Sequence, residues 1–293
     1  MHLASRLRGK FPRLALTEDF SFARHTTIGC GGSAAAAAMP ACLEETAQLL
    51  TFLERERIPY CYLGAGANVL PAEGRFEGVV VRFCNMNTLY ADGTSLYAGA
   101  GVTGGRLLAF AAANAIGGFE PFSGIPTSVG GGITMNAGVK ELHFGDVTER
   151  VIAAEKGKIY SLSQSECRFS EKSSLFQQGI AVLGAYFTGK RSDARTIAAR
   201  ACDFRRRRAG LPKGRSMGCA FVNPPDRSAG ELIEKCGLKN TRVGGARVSE
   251  IHANFILNEG GTADDILALA ELVKARVYMQ TGITLREEFR RIP

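Results

Sequence analysis

Long apolar runs are absent from this sequence. The longest stretch of small apolar residues, 34–38 followed by Met39, falls far short of the ~20 residues that a transmembrane helix needs. The basic N-terminal segment MHLASRLRGKFPRLAL also lacks the apolar centre, about 7–15 residues long, of a secretory signal peptide. We therefore expect no membrane span, no cleaved leader and no membrane partner.

Paired cysteines and clustered histidines are missing as well. The eight cysteines include no CxxC pair, which argues against zinc knuckles and against a disulfide framework. The histidines (His2, His25, His143 and His252) show no metal-ligand spacing. These absences predict reduced thiols, a cytoplasmic location and no metal ion.

Positive charge and glycine are what the chain has in excess. Lys and Arg number 36 against 28 Asp and Glu, and the net charge of +8 favours an anionic ligand or nucleic acid. Glycine accounts for 35 of 293 residues, well above the usual ~7%, as expected where backbone turns sharply or approaches a ligand. Four successive arginines at 205–208, the arginine run, have no interleaved aromatics and favour a solvated helix face over nucleic-acid binding.

Hydrophobic periodicity predicts an α+β fold with boundaries near residues 84 and 190. The predicted helices are 43–56 (stripe Leu43, Ala47, Leu50, Leu53), 103–115, 192–209, 228–236 and a last one capped by Thr262, with the stripe Ile266, Leu269, Ala270, Val273 and Val277. The predicted strands are 60–63, 78–83, 96–100, 147–153, 158–162 and 180–187.

Two glycine-rich loops are candidates for ligand binding. Residues 64–68 (GAGAN) follow a predicted strand, and their N–H groups could form an anion nest, although a plain tight turn is the commoner meaning of such a loop. They form neither a Walker loop nor a GxGxxG fingerprint. Residues 124–138 (GIPTSVGGGITMNAG) are more specific, because Ser128 and Asn136 offer neutral hydrogen bonds beside glycines. Two such loops favour a cofactor over a structural corner.

Cys219 and Glu288 are candidates for proton chemistry. A lone cysteine is usually an inert core residue, but Cys219 lies in a predicted loop and could act as nucleophile or proton donor. A thiol, with a reference pKa of about 8.5, is a far better acid than a serine hydroxyl. Glu288 lies on a predicted extended tail, where a surface carboxylate is the default interpretation.

Seven ordered segments resemble the UDP-N-acetylenolpyruvoylglucosamine reductase (MurB) family in its shorter, type II form. They are residues 25–34, 64–68, 124–138, 166–176, 218–224, 244–256 and 285–290, within a match over about residues 20–292. The resemblance implies an FAD-binding fold of the vanillyl-alcohol-oxidase/PCMH type with a C-terminal α+β substrate-binding domain. Residues 1–84 and 85–190 would be two FAD-binding subdomains, and 191–293 the substrate domain, whose tail returns to the active site.

The resemblance also implies an activity. NADPH would reduce FAD, and flavin N5 would then deliver hydride to the vinyl carbon of UDP-N-acetylglucosamine enolpyruvate while a protein acid protonates the neighbouring carbon. The product would be UDP-N-acetylmuramate, a peptidoglycan precursor. The expected partner is therefore the UDP-sugar nucleotide and not nucleic acid, and we expect a monomer.

Site residues follow from the resemblance position by position. The FAD contacts fall on Gly64, Ala65, Gly66, Ala67, Asn68, Val69, Gly124, Pro126, Thr127, Ser128, Gly131, Gly132, Asn136 and Ala137. The catalytic residues are Cys219, where most relatives have serine, Glu288, and Lys172, where they have arginine. Substrate binding is assigned to Asn223, with Lys213 and Arg168 as further candidates.

Three departures from the family pattern leave alternatives open. Lys172 keeps the positive charge of the family's arginine but loses its bidentate fork, and Val222 and Ile251 replace lysines. An FAD-dependent oxidoreductase of the same fold with another substrate is one alternative. A non-catalytic relative that retains the fold is the other.

Overall fold

The structure, a computed structural model, describes residues 3–293, so that Met1 and His2 of the expectations above lie outside it. The chain forms two compact units. The first contains residues 3–18, Ala35–Ala65 and Glu77–Ala209, and the second contains Asp19–Ala34, Gly66–Phe76 and Gly210–Pro293. The three-domain division of the chain stays a prediction.

The chain contains both helices and strands, as the α+β prediction requires. The helices are α1 (Leu3–Lys10), α2 (Phe22–His25), α3 (Leu43–Arg55), α4 (Gly104–Ala113), α5 (Val129–Thr134), α6 (Phe144–Val147), α7 (Ala194–Arg208), α8 (Ala229–Lys235) and α9 (Ala263–Thr281), with 3₁₀ turns at Glu120–Phe122 and Leu175–Gln178. Every helix and strand that periodicity predicted is present, with ends moved by at most three residues.

The strands form small sheets. They are β1 (Ala15–Ser21), β2 (Ser33–Met39), β3 (Tyr60–Tyr62), β4 (Val69–Pro71), β5 (Arg75–Val81), β6 (Leu89–Asp92), β7 (Ser95–Gly99), β8 (Ile116–Gly117), β9 (Gly138–Val139), β10 (Leu142–His143), β11 (Thr148–Glu155), β12 (Lys158–Ser163), β13 (Ala181–Thr188), β14 (Lys190–Arg191), β15 (Ser216–Cys219), β16 (Phe221–Val222), β17 (Arg242–Val243), β18 (Ala246–Val248), β19 (Phe255–Asn258), β20 (Arg286–Glu287) and β21 (Arg290–Ile292).

Helix α3 and a four-stranded sheet, in the order β1-β2-β5-β3, form one core of the first unit. The stretch of small apolar residues at 34–38 is the middle of β2 and is buried on both faces. Its small side chains allow the neighbouring layers to pack close to the strand. Periodicity missed this strand because alanine favours helix over strand. The predicted stripe of α3 is partly wrong: Leu43 is exposed, and Leu49 is buried instead.

A five-stranded antiparallel sheet, in the order β12-β11-β13-β7-β6, forms the other core of the first unit. Its buried partners include three aromatic side chains. Phe144 stacks on Phe122 with ring centroids 4.3 Å apart and meets Phe187 edge-on at 6.0 Å. Because fully buried rings in close contact have little room to move, this cluster makes the floor of the 124–138 segment rigid.

The second unit is built around α9 and the antiparallel sheet β15-β19-β18-β17. Thr262 and Asp265 form a reciprocal capping box at the start of α9, and Gly282, at φ +70°, ends it. The predicted apolar stripe of this helix is confirmed, since all five of its residues are buried. Burial of a Leu, Ile or Val side chain contributes roughly 1.5–3 kcal/mol, so this stripe anchors the unit.

Membrane-spanning helices and metal-ligand clusters are both absent from the described residues. Although α9 has 19 residues, no helix within residues 3–293 has the apolar composition of a bilayer-spanning segment. Over the same range, no three His, Cys, Asp or Glu side chains gather as a metal ion would require.

Candidate functional sites

The segment 124–137 is the predicted cofactor loop of the first unit. Its centre is the start of α5, where Ser128 Oγ accepts a hydrogen bond from the Gly131 N–H at 3.3 Å. Thr127 supports the turn, since its Oγ1 donates to the Ser128 carbonyl at 2.9 Å. Gly64 approaches from another part of the same unit: a Cβ there would lie 2.8 Å from Ser128 Oγ. The two predicted glycine loops therefore meet within this unit at Gly64.

Two further residues of this segment have mainly structural contacts. A Cβ on Gly132 would lie 2.7 Å from the buried ring of Phe144, so only glycine fits there. The buried Asn136 side chain donates to the Ser170 carbonyl and accepts from the Gly145 N–H, both at 2.8 Å. One N–H and one oxygen lone pair of its amide are thus bonded to backbone, which fixes the side chain in place. Pro126 is exposed, and Ala137 is half-buried.

The loop at residues 64–68 offers backbone N–H groups to a ligand. Within residues 3–293, the N–H groups of these five residues have no acceptor, whereas the carbonyls of Gly66 and Asn68 accept from Thr27 and Arg290, both at 2.9 Å. A Cβ on Gly66 would lie 2.3 Å from the His25 carbonyl, so the chain packs too closely for a side chain. Successive unpaired N–H groups are a common cradle for phosphate oxygens. These residues therefore fit the diphosphate of FAD.

Cys219 occupies the end of β15, where the chain leaves one sheet for another. It pairs with Phe255 of β19 after a register shift, and the preceding Gly218 has φ +80°, a value that side chains rarely adopt. Two residues later, Phe221 pairs with Glu287 of β20. Cys219 is half-buried. The structure thus presents this thiol at a fixed bend between two strand pairings.

The buried side chain of Asn254 holds that bend, a role that sequence analysis missed. Asn254 Oδ1 accepts from the Phe221 N–H at 2.9 Å, and Nδ2 donates to the Phe221 carbonyl at 2.8 Å. Its own carbonyl accepts from the Ala220 N–H at 2.7 Å. The available signal was a polar residue directly before an apolar strand, since a buried amide requires partners.

Glu288 is brought next to Cys219 in the second unit. Its N–H donates to the carbonyl of Ala220, the residue after Cys219, at 2.8 Å. Its carbonyl accepts from Asn68 Nδ2 at 3.0 Å, although 220 residues separate them. The strand β21 that follows pairs in parallel with β4, which begins at Val69. Both main-chain groups of Glu288 are therefore fixed, and one of them is bonded to the residue that follows Cys219.

An ionic network beside Glu288 was also missed. Arg291 donates to both carboxylate oxygens of Glu287, at 2.6 and 3.1 Å, and Lys274 of α9 lies 3.4 Å from one of them. Glu271 completes the group, 2.9 Å from Lys274. The Glu287 side chain is only 16% exposed, which makes these pairs stronger than ordinary surface ion pairs. The network therefore holds the side chain of Glu287, the residue that precedes Glu288.

Lys172 lies in the first unit, within a turn closed by hydrogen bonds between Ser170 and Ser173. It adopts φ +54°, and its carbonyl accepts from Gln177 Nε2 at 2.8 Å. Arg168 also has a positive φ, of 51°, and is exposed. The segment is thus tightly turned rather than extended, with Lys172 half-buried.

The predicted substrate-binding residues of the second unit lie in two separate places. Asn223 Oδ1 accepts a hydrogen bond from the Ala229 N–H at 3.0 Å at the start of α8. The Nδ2 group is therefore the part of this side chain that would serve the predicted substrate binding. Lys213 is exposed, and no hydrogen bond or ion pair within residues 3–293 joins it to Asn223. Val222 is buried and Ile251 is 65% exposed, so only Ile251 stands where a lysine would reach solvent.

Burial makes three of the cysteines poor acids. It raises the pKa of Cys30 to about 11 and that of Cys61 and Cys167 to about 12, so these three are neutral, inert thiols. Within residues 3–293 every cysteine is free of disulfides.

Comparisons with known proteins agree with this geometry. Residues 34–159 match the family described as FAD binding domain, and residues 211–292 match the C-terminal domain of UDP-N-acetylenolpyruvoylglucosamine reductase. The chain is 37% identical over 299 residues to the UDP-N-acetylenolpyruvoylglucosamine reductase of Geobacter sulfurreducens, covering 98% of this chain and 96% of that one. It is 36% identical to that of Caldanaerobacter subterraneus, covering 91% and 90%.

A solved structure gives the same result. The crystal structure of UDP-N-acetylenolpyruvylglucosamine reductase from Thermus caldophilus matches with a TM-score of 0.82 and 33% identity, over 96% of this chain and 99% of that one. The expected fold class is therefore confirmed. This chain belongs to the UDP-N-acetylenolpyruvoylglucosamine reductase family, the FAD-dependent oxidoreductases of peptidoglycan precursor synthesis.

Proposed function

We propose that NADPH is the reductant of this enzyme and that Cys219 is the acid that completes reduction of the enolpyruvyl group. Bound FAD supplies the hydride. The residues of 64–69 and 124–137 hold the cofactor, with unpaired N–H groups for its diphosphate and glycines where its surface comes close to backbone.

Cys219 donates a proton from Sγ to the substrate carbon next to the carboxylate. A proton donor needs an ionisable hydrogen within reach and a fixed direction of approach, and the bend at the end of β15 provides the second. A thiol is more acidic than the serine hydroxyl of most relatives, so the exchange preserves the donor function.

Glu288 and Lys172 are the proposed partners of Cys219 in catalysis. Negative charge develops on the carboxylate end of the substrate as hydride arrives, and a Lys172 ammonium would stabilise it. Glu288 would orient the substrate by hydrogen bonding beside the thiol. Its rigid main chain supports this role, because an orienting group must keep its place during the reaction.

The nucleotide end of the substrate is assigned to Asn223. Its Nδ2 can donate to a diphosphate oxygen while its Oδ1 remains bonded to the Ala229 N–H. Lys213 supplies positive charge for the same diphosphate from an exposed position. Arg168, also exposed, supplies charge that compensates for the bidentate fork missing at Lys172.

One observation supports this proposal above all: the Glu288 N–H to Ala220 carbonyl bond, which sets the proposed orienting group beside the proposed acid. Stopped-flow absorbance of the flavin tests it in two steps. NADPH should bleach the flavin in the first step, and UDP-N-acetylglucosamine enolpyruvate should restore its colour in the second. Bleaching without substrate-dependent recovery would contradict the proposed substrate chemistry, and failure to bleach would contradict NADPH as reductant.

We also propose that the enzyme acts as a cytoplasmic monomer. The large exposed hydrophobic side chains (Leu43, Tyr90, Ile251, Tyr278 and Met279) are mostly scattered singly, which is usual for a monomer surface. Free thiols agree with a reducing compartment. Light scattering on the FAD-loaded protein, with and without a reducing agent, measures its oligomeric state directly.

A further inference from the structure

The arginine run ends helix α7 and has no part in the function proposed above. Successive helix residues turn by about 100°, so four arginines point around the helix, but positions three apart share a face. Arg205 and Arg208 therefore lie on one side of α7. Arg208 is half-buried, whereas the other three arginines are exposed.

The face shared by Arg205 and Arg208 lies against Gly124, the first residue of the predicted cofactor loop. Arg208 Nε donates to the Gly124 carbonyl at 3.1 Å, across 84 residues of sequence. A Cβ on Gly124 would lie 3.4 Å from Arg208 Cδ and 3.7 Å from Arg205 Cγ. Gly124 has φ +79°, a conformation that glycine adopts readily and that residues with a side chain rarely do.

The other two arginines have different partners. Arg207 pairs with Glu141 at 2.8 Å, just beyond the far end of the loop, and stacks over the ring of Phe204. That ion pair is exposed on both sides and therefore weak. Arg206 pairs with Asp203 of its own helix, and its side chain is 76% exposed. The run thus contains a hydrogen bond from Arg208 to the loop, a weak ion pair of Arg207 and, in Arg206, a control that pairs within its own helix.

The geometry points to Arg208 as a positioning residue for the FAD loop. By holding the Gly124 carbonyl, it fixes the peptide that leads into Pro126 and Ser128, and so fixes the entry of the loop before cofactor arrives. A pre-arranged loop binds more tightly because less ordering remains to be done on binding. This inference rests on the proposed placement of FAD at residues 124–137.

FAD titration of the apoprotein tests this inference through the Kd. Arg208→Ala should raise the Kd about tenfold, since a charged hydrogen bond to the loop is lost. Arg206→Ala removes the same charge from the same helix and should change the Kd less than about twofold. A positioning role also predicts that Arg208→Ala alters the visible circular dichroism of bound flavin and reduces the rise in Tm that FAD produces.

Other variants keep the test decisive. If Arg208→Ala fails to fold, Arg208→Lys retains the charge and still loses the Nε donor, so it should weaken FAD binding about threefold. Wild-type FAD affinity in Arg208→Lys would overturn the inference. Equal weakening of FAD binding by Arg206→Ala and Arg208→Ala would also overturn it, since the arginines would then act only through their overall positive charge.

Ser128→Ala separates this inference from the function on which it rests. It removes a predicted cofactor contact and the cap of α5. If Ser128→Ala weakens FAD binding and Arg208→Ala does not, the positioning role alone fails. If neither variant changes the Kd, the loop assignment itself fails.

Discussion

The cofactor loop of the first unit and the acid pair of the second are held by different forces. Residues 124–137 are a single run of chain, shaped by a helix cap at Ser128 and by glycines that touch rigid neighbours. Cys219 and Glu288 are far apart in sequence and meet through strand pairing, a buried amide and an ionic network. The loop depends on the small volume of its glycines, and the placement of Cys219 and Glu288 depends on the register of the paired strands.

This difference teaches where each region is vulnerable. A side chain added to the glycine loop destabilises it where the new Cβ would meet a rigid neighbour, as at Gly132 beside the Phe144 ring. A strand-paired acid pair tolerates changes in volume at its edge but fails when its chemical group or its register is lost. Substitutions in the two regions should therefore affect different measurements: FAD affinity and stability in the first, turnover of bound substrate in the second.

The largest expected effect separates chemistry from binding at Cys219. Cys219→Ala should slow flavin reoxidation by the sugar nucleotide about 100-fold or more, since a proton donor contributes typically 10²–10⁴ in rate. Flavin reduction by NADPH should persist. Cys219→Ser should retain appreciable turnover. Stopped-flow measurement of both steps gives the answer, and equal reoxidation rates in wild type and the alanine variant would remove Cys219 from the mechanism.

A pair of glycine substitutions tests the volume argument in the first unit. Gly132→Ala places a Cβ 2.7 Å from the Phe144 ring, which is locked among aromatics, and should cost about 1–3 kcal/mol of unfolding free energy. Gly131→Ala places its Cβ 3.4 Å from Ser128 Oγ, an ordinary contact, and should leave stability unchanged or slightly raised. Urea unfolding of both apoproteins measures the difference. Equal stabilities would show that the floor of the loop adapts.

Glu287→Gln tests the ionic network in the second unit. The change keeps the shape of the side chain but removes the charge that holds Arg291 and Lys274, so Glu288 should lose part of its fixed orientation. We expect kcat to fall about three- to tenfold at an unchanged FAD Kd. Glu259→Gln is the matched control, since Glu259 also binds two arginines, Arg242 and Arg247. A similar loss of kcat in the control would refute a specific role for the network.

The smallest expected effect is a pH dependence of stability from His252. Burial lowers the pKa of this imidazole, so below about pH 6.5 the unfolded chain binds a proton that the folded chain resists. Stability should therefore fall as the pH drops from 7 towards 5, and His252→Gln should lessen that fall. Unfolding free energies of both proteins at several pH values measure the contribution. Parallel pH profiles would mean that His252 contributes nothing to it.

Sequence patterns predicted much of the fold and less of the site. The capped helix α9 and the glycine loops could be recognised because caps, periodicity and glycine clusters are local properties. The strand β2 could not, since a run of alanine carries no strand signal and is fixed by burial between layers. Asn254 was missed because its partner Phe221 is 33 residues away, and Glu287 because nothing along the chain shows that Lys274 and Arg291 share its carboxylate.

The amino-acid sequence by itself determined the longer helices, the strands with a clear apolar pattern, their order and the family, because these depend on neighbouring residues and on motifs that can be read along the chain. The tertiary structure alone decided that Glu288 lies beside Ala220, that Arg208 holds Gly124 and that Arg291 holds Glu287. Contacts that depend on strand register and on helix faces have no local signature, since the same residues could pair in another register with similar propensity.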